Sequence, residues 1–191
     1  MGRKLLSAAR LSVGDQVNAG GKQRLDPKLP GYNKTAVFTP WLVLRDLDHD
    51  ADCAAELVAR LLGTPEKLMS LRIPVRAIEA WLMADDEGLA SFLRISRNKI
   101  PHEPDTLDDP KQTMVNLARQ SRKPDLRKDM VPREGMSRKT GPGYNARLIE
   151  LVEKHWQLRR ARKRSPSLDR ASRSLRSLRK AIDELDAGSA A

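Results

Sequence analysis

The sequence has few aromatic residues, a single cysteine and no long apolar run. Only 4% of its 191 residues are aromatic, so Leu, Val, Ile and Ala must build most of the core. The lone Cys53 excludes an internal disulfide framework and a cysteine-based zinc site. No run of about 18 apolar residues occurs, which excludes a transmembrane helix, and the first residues lack the apolar segment of a secretory signal. We therefore predict a cytoplasmic protein that does not contact membranes.

Positive charge is concentrated in one part of the chain. Lys and Arg number 36 against 25 Asp and Glu, for a formal net charge of +11. Residues 159–180 hold ten basic residues and one acid, and so carry +9 of that charge. Such a segment is typical of a surface that binds phosphates, and the alternative is a solvated tail with no specific partner.

The apolar pattern predicts an alternation of strands and helices in the first half. The segments are a strand within 36–48, a helix at 52–63, a strand at 68–75 and a helix at 77–85. Pro40 should start the first strand, because proline cannot donate a hydrogen bond inside a sheet. We expect Asp50 or Asp52 to cap the first of these helices and Gly63 to end it. This order predicts an α/β fold with an at least partly parallel sheet.

The remaining segments favour helices and loops. Residues 3–11 have a weak helical pattern, and residues 12–35 have the composition of a loop. Further helices are predicted after Asp109-Pro110, after residue 145 and after Pro166. The last helix has an apolar seam at spacings of three and four, formed by Leu168, Ala171, Leu175, Leu178, Ile182 and Leu185. This seam suits packing on another helix, within the chain or across a dimer, with the arginines pointing the other way. We predict an α/β domain at 1–125 and a helical basic extension at 126–191.

Two aspartates follow the first predicted strand. Asp46 and Asp48 should lie on the same face, since side chains alternate along a strand, at the edge where α/β folds bind ligands. Close carboxylates favour a bound hard cation such as Mg²⁺ or Mn²⁺, and the alternative is helix capping and a solvated turn. An ATPase would need a phosphate-binding loop, and residues 20–23 do not match that motif.

Two further positions are candidates for chemistry. Glu79, on the helix at 77–85, either pairs with Arg76 three residues earlier or supplies another carboxylate to the metal edge. Lys111 follows Asp109-Pro110 at a helix start, where it either contacts phosphate or is solvated.

Several blocks of the sequence together resemble a prokaryotic family of unknown function. That family has a Toprim-like fold related to the OLD (overcoming lysogenisation defect) nucleases, and the match runs from about residue 40 to residue 171. The blocks are LVLRDLDHDADCA, RIPVRAIEAWLMADDEGLASFL, IPHEPDTLDDPKQTMVNLARQS and GPGYNARLIELVEKHW, with SPSLDRA. The resemblance implies that Asp46 and Asp48 are the Mg²⁺ ligands of a phosphoryl-transfer site. It also implies that Glu79 is the acidic residue of the next helix and Lys111 a transition-state lysine.

One feature of Toprim domains is missing from this sequence. Their first strand is followed by a glutamate, whereas the first glutamate here is Glu56, after the aspartate pair. We therefore expect the first strand to be absent and the metal site to be incomplete.

The functional prediction is Mg²⁺- or Mn²⁺-dependent cleavage of phosphodiester bonds in nucleic acid, impaired in this chain. Asp46, Asp48 and Glu79 would hold the metal, and Arg72, Arg76 or Lys111 would stabilise charge on the phosphate. The alternative is a module that binds nucleic acid or a partner protein without chemistry, or a subunit of a phage-defence system that dimerises or docks through residues 168–185. In each case sequence-independent phosphate contacts are expected from Arg170, Arg173, Arg176, Arg179 and Lys180.

Overall fold

The computed structural model describes residues 1–189 as two compact units. The sheet unit comprises residues 2–75 and 169–189, and the helical unit comprises residues 76–168. The protein is mixed α/β, and 56% of it is helical. None of the helices within residues 1–189 has the length and apolar character needed to cross a membrane.

Eleven α-helices and two strands are found within residues 1–189. In chain order they are α1 (Gly2–Ala8), α2 (Lys22–Leu25), α3 (Leu29–Thr35), β1 (Trp41–Leu44), α4 (Ala54–Leu62), β2 (Met69–Arg72), α5 (Ile78–Met83), α6 (Asp86–Leu93), α7 (Pro110–Arg119), α8 (Pro124–Met130), α9 (Tyr144–Lys154), α10 (Leu158–Ala161) and α11 (Pro166–Ser189). Short 3₁₀ turns lie at 26–28, 97–99 and 104–106.

The two strands form a parallel pair connected through α4, which confirms the α/β class and the parallel pairing. Trp41 is in register with Met69 and Leu44 with Arg72. β1 begins directly after Pro40, as predicted, but it is shorter than the predicted segment. Residues 36–40 stay outside the sheet, and the Phe38 side chain is 86% exposed. The finer Toprim-like arrangement remains a prediction.

The helix after β1 forms as predicted, but its start is different. Cys53 occupies the N-cap position, so the expected Asp50 or Asp52 cap is wrong. The carboxylate of Asp50 is held by Lys22 instead, at 2.8 Å. At the other end Gly63 adopts a left-handed φ of 63°, and its N–H donates to the main chain of the last turn, as predicted.

The predicted loop at 12–35 is helical in its second half. α2, a 3₁₀ turn and α3 follow one another from Lys22 to Thr35. Pro27 and Pro30 lie in the first turns of their helices, where the missing N–H has no intrahelical partner to lose. Proline therefore marks a helix start at both positions, and the loop prediction is wrong for residues 22–35.

The helical unit is centred on α5, whose residues from Glu79 to Met83 are all buried. Trp81 and Trp156 are fully buried, and the indole N–H of Trp156 donates to the main-chain oxygen of Trp81 at 3.0 Å. Trp81 in turn donates to the Ser167 hydroxyl at 2.7 Å. α7 begins as predicted, with the Asp109 carboxylate accepting the main-chain N–H of the third residue of the helix.

The units divide the chain at residues 75/76 and 168/169, whereas the predicted boundary at 125/126 falls inside α8. Most of α11 belongs to the sheet unit. There the Ser174 hydroxyl lies 3.4 Å from that of Ser70 on β2, and Glu184 forms an ion pair with Lys67 at 2.9 Å. The apolar seam of α11 therefore packs within the chain, one of the two options that its spacing left open.

Candidate functional site

The predicted metal edge is the segment that follows β1. Val43, Arg45 and Leu47 are buried, and this alternation leaves Asp46 and Asp48 on the half-exposed side. The main-chain N–H groups of Arg45 and Leu47 still donate to the β2 side of the sheet, at 3.2 and 3.0 Å. Asp48 has a left-handed φ of 50°, so the extended backbone ends just before it.

The ammonium group of Lys22 contacts the carboxylates of this turn. The Nζ atom of Lys22 is 3.0 Å from Asp48 and 2.8 Å from both carboxylate oxygens of Asp50. Hydrogen bonds to Asp50 and Asp48 raise the pKa of Lys22. The bond from Lys22, with a contribution from Arg45, lowers the pKa of Asp50 despite the opposing effect of burial. The ammonium group of Lys22 therefore already neutralises part of the negative charge of Asp48 and Asp50.

Arg45 extends this network into the core. Its side chain is buried, and its guanidinium pairs with Asp26 at 2.9 Å and with Asp50 at 2.6 Å. It also donates to the main-chain oxygens of Asp46 and Leu47. Burial acts to lower the pKa of Arg45, but the bonds to the two aspartates outweigh it and raise the pKa. A buried charge held in this way fixes the shape of the turn.

Glu79 is a buried residue of α5, 2% exposed, rather than a solvated surface residue. Its Oε1 atom accepts a hydrogen bond from the Tyr144 hydroxyl at 3.0 Å, and its Oε2 atom is buried without a hydrogen-bond partner among residues 1–189. Burial, followed by the charge of Glu79, raises the pKa of Tyr144. Arg76, just before α5, is half-buried with a left-handed φ of 59°.

The predicted metal ligands come from both units: Asp46 and Asp48 from the sheet unit and Glu79 from the helical unit. Within residues 1–189 no group of three or more His, Cys, Asp or Glu side chains is placed to hold a metal ion. Asp48, moreover, is already engaged by Lys22. A divalent cation at Asp48 would have to displace the Lys22 ammonium, and the metal site stays a prediction.

Two other cationic candidates have contrasting surroundings. Lys111 is exposed on the first turn of α7. Arg72, at the end of β2, is half-buried, and its Nε atom has no hydrogen-bond partner in the part of the chain that the structure describes. Burial lowers the pKa of Arg72.

The helix α11 separates an apolar side from a basic side. Leu168, Ala171, Leu175 and Leu178 of the seam are buried, whereas Leu185 near its end is 39% exposed. The five cations predicted to contact phosphate are all exposed: Arg170, Arg173, Arg176, Arg179 and Lys180. We call these five side chains the basic face.

The members of the basic face differ in their ion pairs. At about 100° per residue, Arg173, Arg176 and Lys180 lie within about 60° of one another, opposite the seam. Arg173 pairs with Asp169 at 3.1 Å, and Arg179 pairs with an acid one turn later at 2.7 Å. Arg170, Arg176 and Lys180 have no ion-pair partner within residues 1–189. Three of the five charges are therefore available to an external anion.

The sequence pattern missed two side chains that control the acidic turn. Arg45 interrupts an apolar run, which is a signal for a buried ion pair, although its partners Asp26 and Asp50 are not its neighbours in the sequence. Lys22 carried no such signal, because the chain folds back over 26 residues to bring it to Asp48. Comparisons of the chain with models of protein families, with curated proteins and with solved structures found no match.

Proposed function

We propose that this protein binds nucleic acid through the basic face of α11, without selecting particular bases. The observation that supports the proposal is the division of this helix into a buried apolar side and an exposed cationic side. Packing and phosphate contact therefore use different side chains. A phosphate backbone gains most from cations that lack acidic partners, and Arg170, Arg176 and Lys180 meet that condition among residues 1–189.

The absence of base selectivity follows from the composition of the face. It contains no aromatic side chain on which a base would stack, and no Asn or Gln that would read an adenine edge. Arginine and lysine contacts to phosphate fix position and supply affinity but carry no sequence information. Two duplexes of equal length and different sequence should therefore bind equally well.

Salt dependence measures how many of these side chains contact phosphates. Five contacts predict a slope of log affinity against log salt of about −4.5 on duplex and about −3.5 on single strands. Contacts from the three unpaired cations alone predict about −2.7 and −2.1. Fluorescence anisotropy with labelled oligonucleotides from about 50 to 300 mM salt gives the slope.

Two variants that each remove three positive charges from different surfaces test whether the basic face binds the nucleic acid. Arg170→Gln/Arg176→Gln/Lys180→Gln should flatten the duplex slope by about two to three units. The control is Arg24→Gln/Lys28→Gln/Lys34→Gln, which removes the same charge from exposed positions of the sheet unit that lie outside α11. Equal losses in the two variants would mean that net charge, and not the basic face, binds the nucleic acid.

Divalent-metal-dependent cleavage of phosphodiester bonds is a second candidate. It is favoured by the placement of Asp46 and Asp48 on the half-exposed side of the segment that leaves a parallel strand. Lys22 opposes it, because its ammonium would compete with a divalent ion for Asp48. Bound to these carboxylates, Mg²⁺ or Mn²⁺ would supply Lewis-acid polarisation of a phosphoryl oxygen.

Lys22→Met removes the competing ammonium and keeps an unbranched side chain that is one atom shorter. If the carboxylates are a metal site, calorimetry should show tighter Mn²⁺ binding by this variant than by wild type. The gain should disappear in Lys22→Met/Asp46→Asn/Asp48→Asn. Identical titrations for all three proteins would remove the second candidate and leave the first intact, because the basic face does not need a metal.

A further inference from the structure

A concave pocket of about 330 Å³ opens on the helical unit where α6 ends and α8 begins. This volume lies at the lower end of the range of roughly 300 to 1,000 Å³ found for small-molecule sites. The charged residues in its lining are Arg94, Arg122, Lys123, Arg147, Asp125 and Glu150.

The backbone that carries the pocket's cations is fastened at several points. Arg94 ends α6 in a left-handed conformation, with a φ of 51°. The buried Ser121 hydroxyl donates to the main-chain oxygen of Leu93 at 2.6 Å and accepts the N–H of Lys123 at 3.1 Å. The Nζ atom of Lys123 lies 5.6 Å from the centre of the Phe92 ring, a cation–π contact. These cations are thus attached to a fixed segment, which reduces the entropy cost of binding a ligand.

One wall of the pocket is internally neutralised. Arg147 donates to Asp129 at 2.8 Å and to Glu150 at 2.7 Å, and Glu150 also pairs with Lys154 at 3.1 Å. Hydrogen bonds to the two acids raise the pKa of Arg147, and those from Arg147 and Lys154 lower the pKa of Glu150. These charges are already matched and do not require a ligand.

The other cations of the lining, Arg94, Arg122 and Lys123, are not neutralised by ion pairs in the described part of the chain. Arg94 and Arg122 have no ion-pair partner within residues 1–189, and the ammonium group of Lys123 contacts the Phe92 ring without an acidic partner there. Asp125 is the remaining acid of the lining once Glu150 is counted with its own partners. The three cations exceed this one acid by two positive charges, so the site would be neutralised by a ligand with two negative charges.

We propose that this pocket binds the terminal phosphate of a phosphomonoester. Such a group carries a charge of about −1.5 to −2 at pH 7, and its oxygens match the forked donors of arginine. Phe92 is only 1% exposed, so it offers no surface for stacking, and recognition rests on the phosphate itself. The group could belong to a free phosphorylated small molecule or to the 5′ end of a nucleic acid. This inference does not depend on the proposed function of α11.

Calorimetry with ribose 5-phosphate tests the pocket, with ribose at equal ionic strength as the reference. Wild type should bind the phosphorylated sugar and not ribose. Arg94→Gln/Arg122→Gln should lose about tenfold or more in affinity, because each arginine contributes charge-assisted hydrogen bonds. The control Arg24→Gln/Lys34→Gln removes the same charge from the sheet unit and should stay within about twofold of wild type. Equal losses in both variants, or no binding by wild type, would overturn the proposal.

Amide chemical-shift mapping on wild type gives a test that does not depend on a variant folding. Addition of ribose 5-phosphate should shift the amides of residues 92–94, 121–123 and 125–126. Binding should strengthen from pH 5 to 7, as the phosphomonoester loses its second proton near pH 6. Shifts confined to other residues, or absent throughout, would rule the pocket out.

Competition identifies the source of the phosphate. A 5′-phosphorylated hexanucleotide that displaces ribose 5-phosphate better than its 5′-hydroxyl form assigns the pocket to nucleic-acid ends. If the two hexanucleotides compete equally poorly while ribose 5-phosphate still binds, the pocket is assigned to small phosphorylated compounds.

Discussion

At the scale of single residues, Lys22 determines the electrostatics of the acidic turn after β1. Asp48 and Asp50 follow a strand, as metal-binding aspartates do, yet both are hydrogen-bonded to one ammonium group. An ammonium supplied by the chain itself stabilises neighbouring carboxylates without any ion from solution. The same spacing of aspartates is therefore compatible with a structural role and with a catalytic one.

Asp50 should make this network sensitive to acid. Its folded-state pKa is lowered below 3.8, so its contribution is fully present above that pH and is lost as the pH falls through the lower, folded value. Asp50→Asn should reduce the free energy of unfolding by about 1 to 2 kcal/mol at pH 7. The difference from wild type should shrink as the pH falls below 3.8. Urea unfolding at a series of pH values measures this.

The control for that experiment is Asp52→Asn. Asp52 is exposed, and its carboxylate makes no ion pair within residues 1–189, so its substitution should have little effect at any pH. A difference between wild type and Asp50→Asn that is constant down to pH 2 would contradict an origin in the ionised carboxylate.

At the scale of elements, α6 is joined to the segment before α10 by a fully buried carboxylate. Asp85 caps α6 through the N–H of Gly88 at 3.1 Å, and it accepts two hydrogen bonds from Arg160, at 2.6 and 2.9 Å. It also accepts the N–H of Gln157 at 2.6 Å. A carboxylate with this many donors is stable when buried.

Gly88 is the position where this packing is tightest. A Cβ atom there would lie 2.4 Å from the Asp85 carboxylate and 2.7 Å from the main-chain oxygen of His155. Gly88→Ala should therefore destabilise the protein by about 1 to 3 kcal/mol or more, since main chain must move. The matched control is Gly31→Ala in α3, where nothing lies within 4 Å.

The control should change stability in the opposite direction, by up to about 1 kcal/mol, because alanine is the better helix former. Thermal and urea unfolding of the two variants measure both effects. A Gly88→Ala protein as stable as Gly31→Ala would show that α6 and residue 155 are not in close contact.

Periodicity predicted most elements, and its failures have identifiable causes. The apolar runs and the Pro40 and Gly63 signals located β1, α4 and β2, because burial on a sheet or a helix leaves a repeating pattern. The burial of Glu79 was not predicted, because its hydrogen-bond partner Tyr144 is 65 residues away in the sequence. Buried polar pairs between distant residues leave no local signal.

At the scale of the whole molecule, the sheet unit combines residues from both ends of the chain. Ser174 and Glu184 of α11 contact β2 and the turn before it. The predicted boundary at 125/126 assumed that basic composition marks a separate extension. The seam residues Leu175 and Leu178 are buried, so this part of the basic helix packs in the sheet unit, and the boundary at 125/126 stays a prediction.

Deletion of residues 169–191 should therefore loosen the sheet unit. Amide hydrogen exchange at Trp41–Leu44 and Met69–Arg72 should accelerate by tenfold or more, equivalent to about 1.4 kcal/mol of local stability. The control is the full chain with Arg176→Ala, which shortens an exposed side chain of the same helix and leaves the seam in place. Unchanged exchange in the truncated protein would mean that α11 contributes nothing to the sheet.

Because the sheet unit is built from two separate stretches of the chain, its parts are synthesised at different times. The ribosome completes β2 and must then translate residues 76–168 before the part of α11 that belongs to the sheet unit appears. At roughly 5 to 20 residues per second, that interval lasts about 5 to 20 s. During it, the helical unit has all its residues and can fold, whereas the surface of β2 that α11 will cover stays open. The nascent chain thus presents an incomplete apolar surface to chaperones and to neighbouring chains until α11 has been translated.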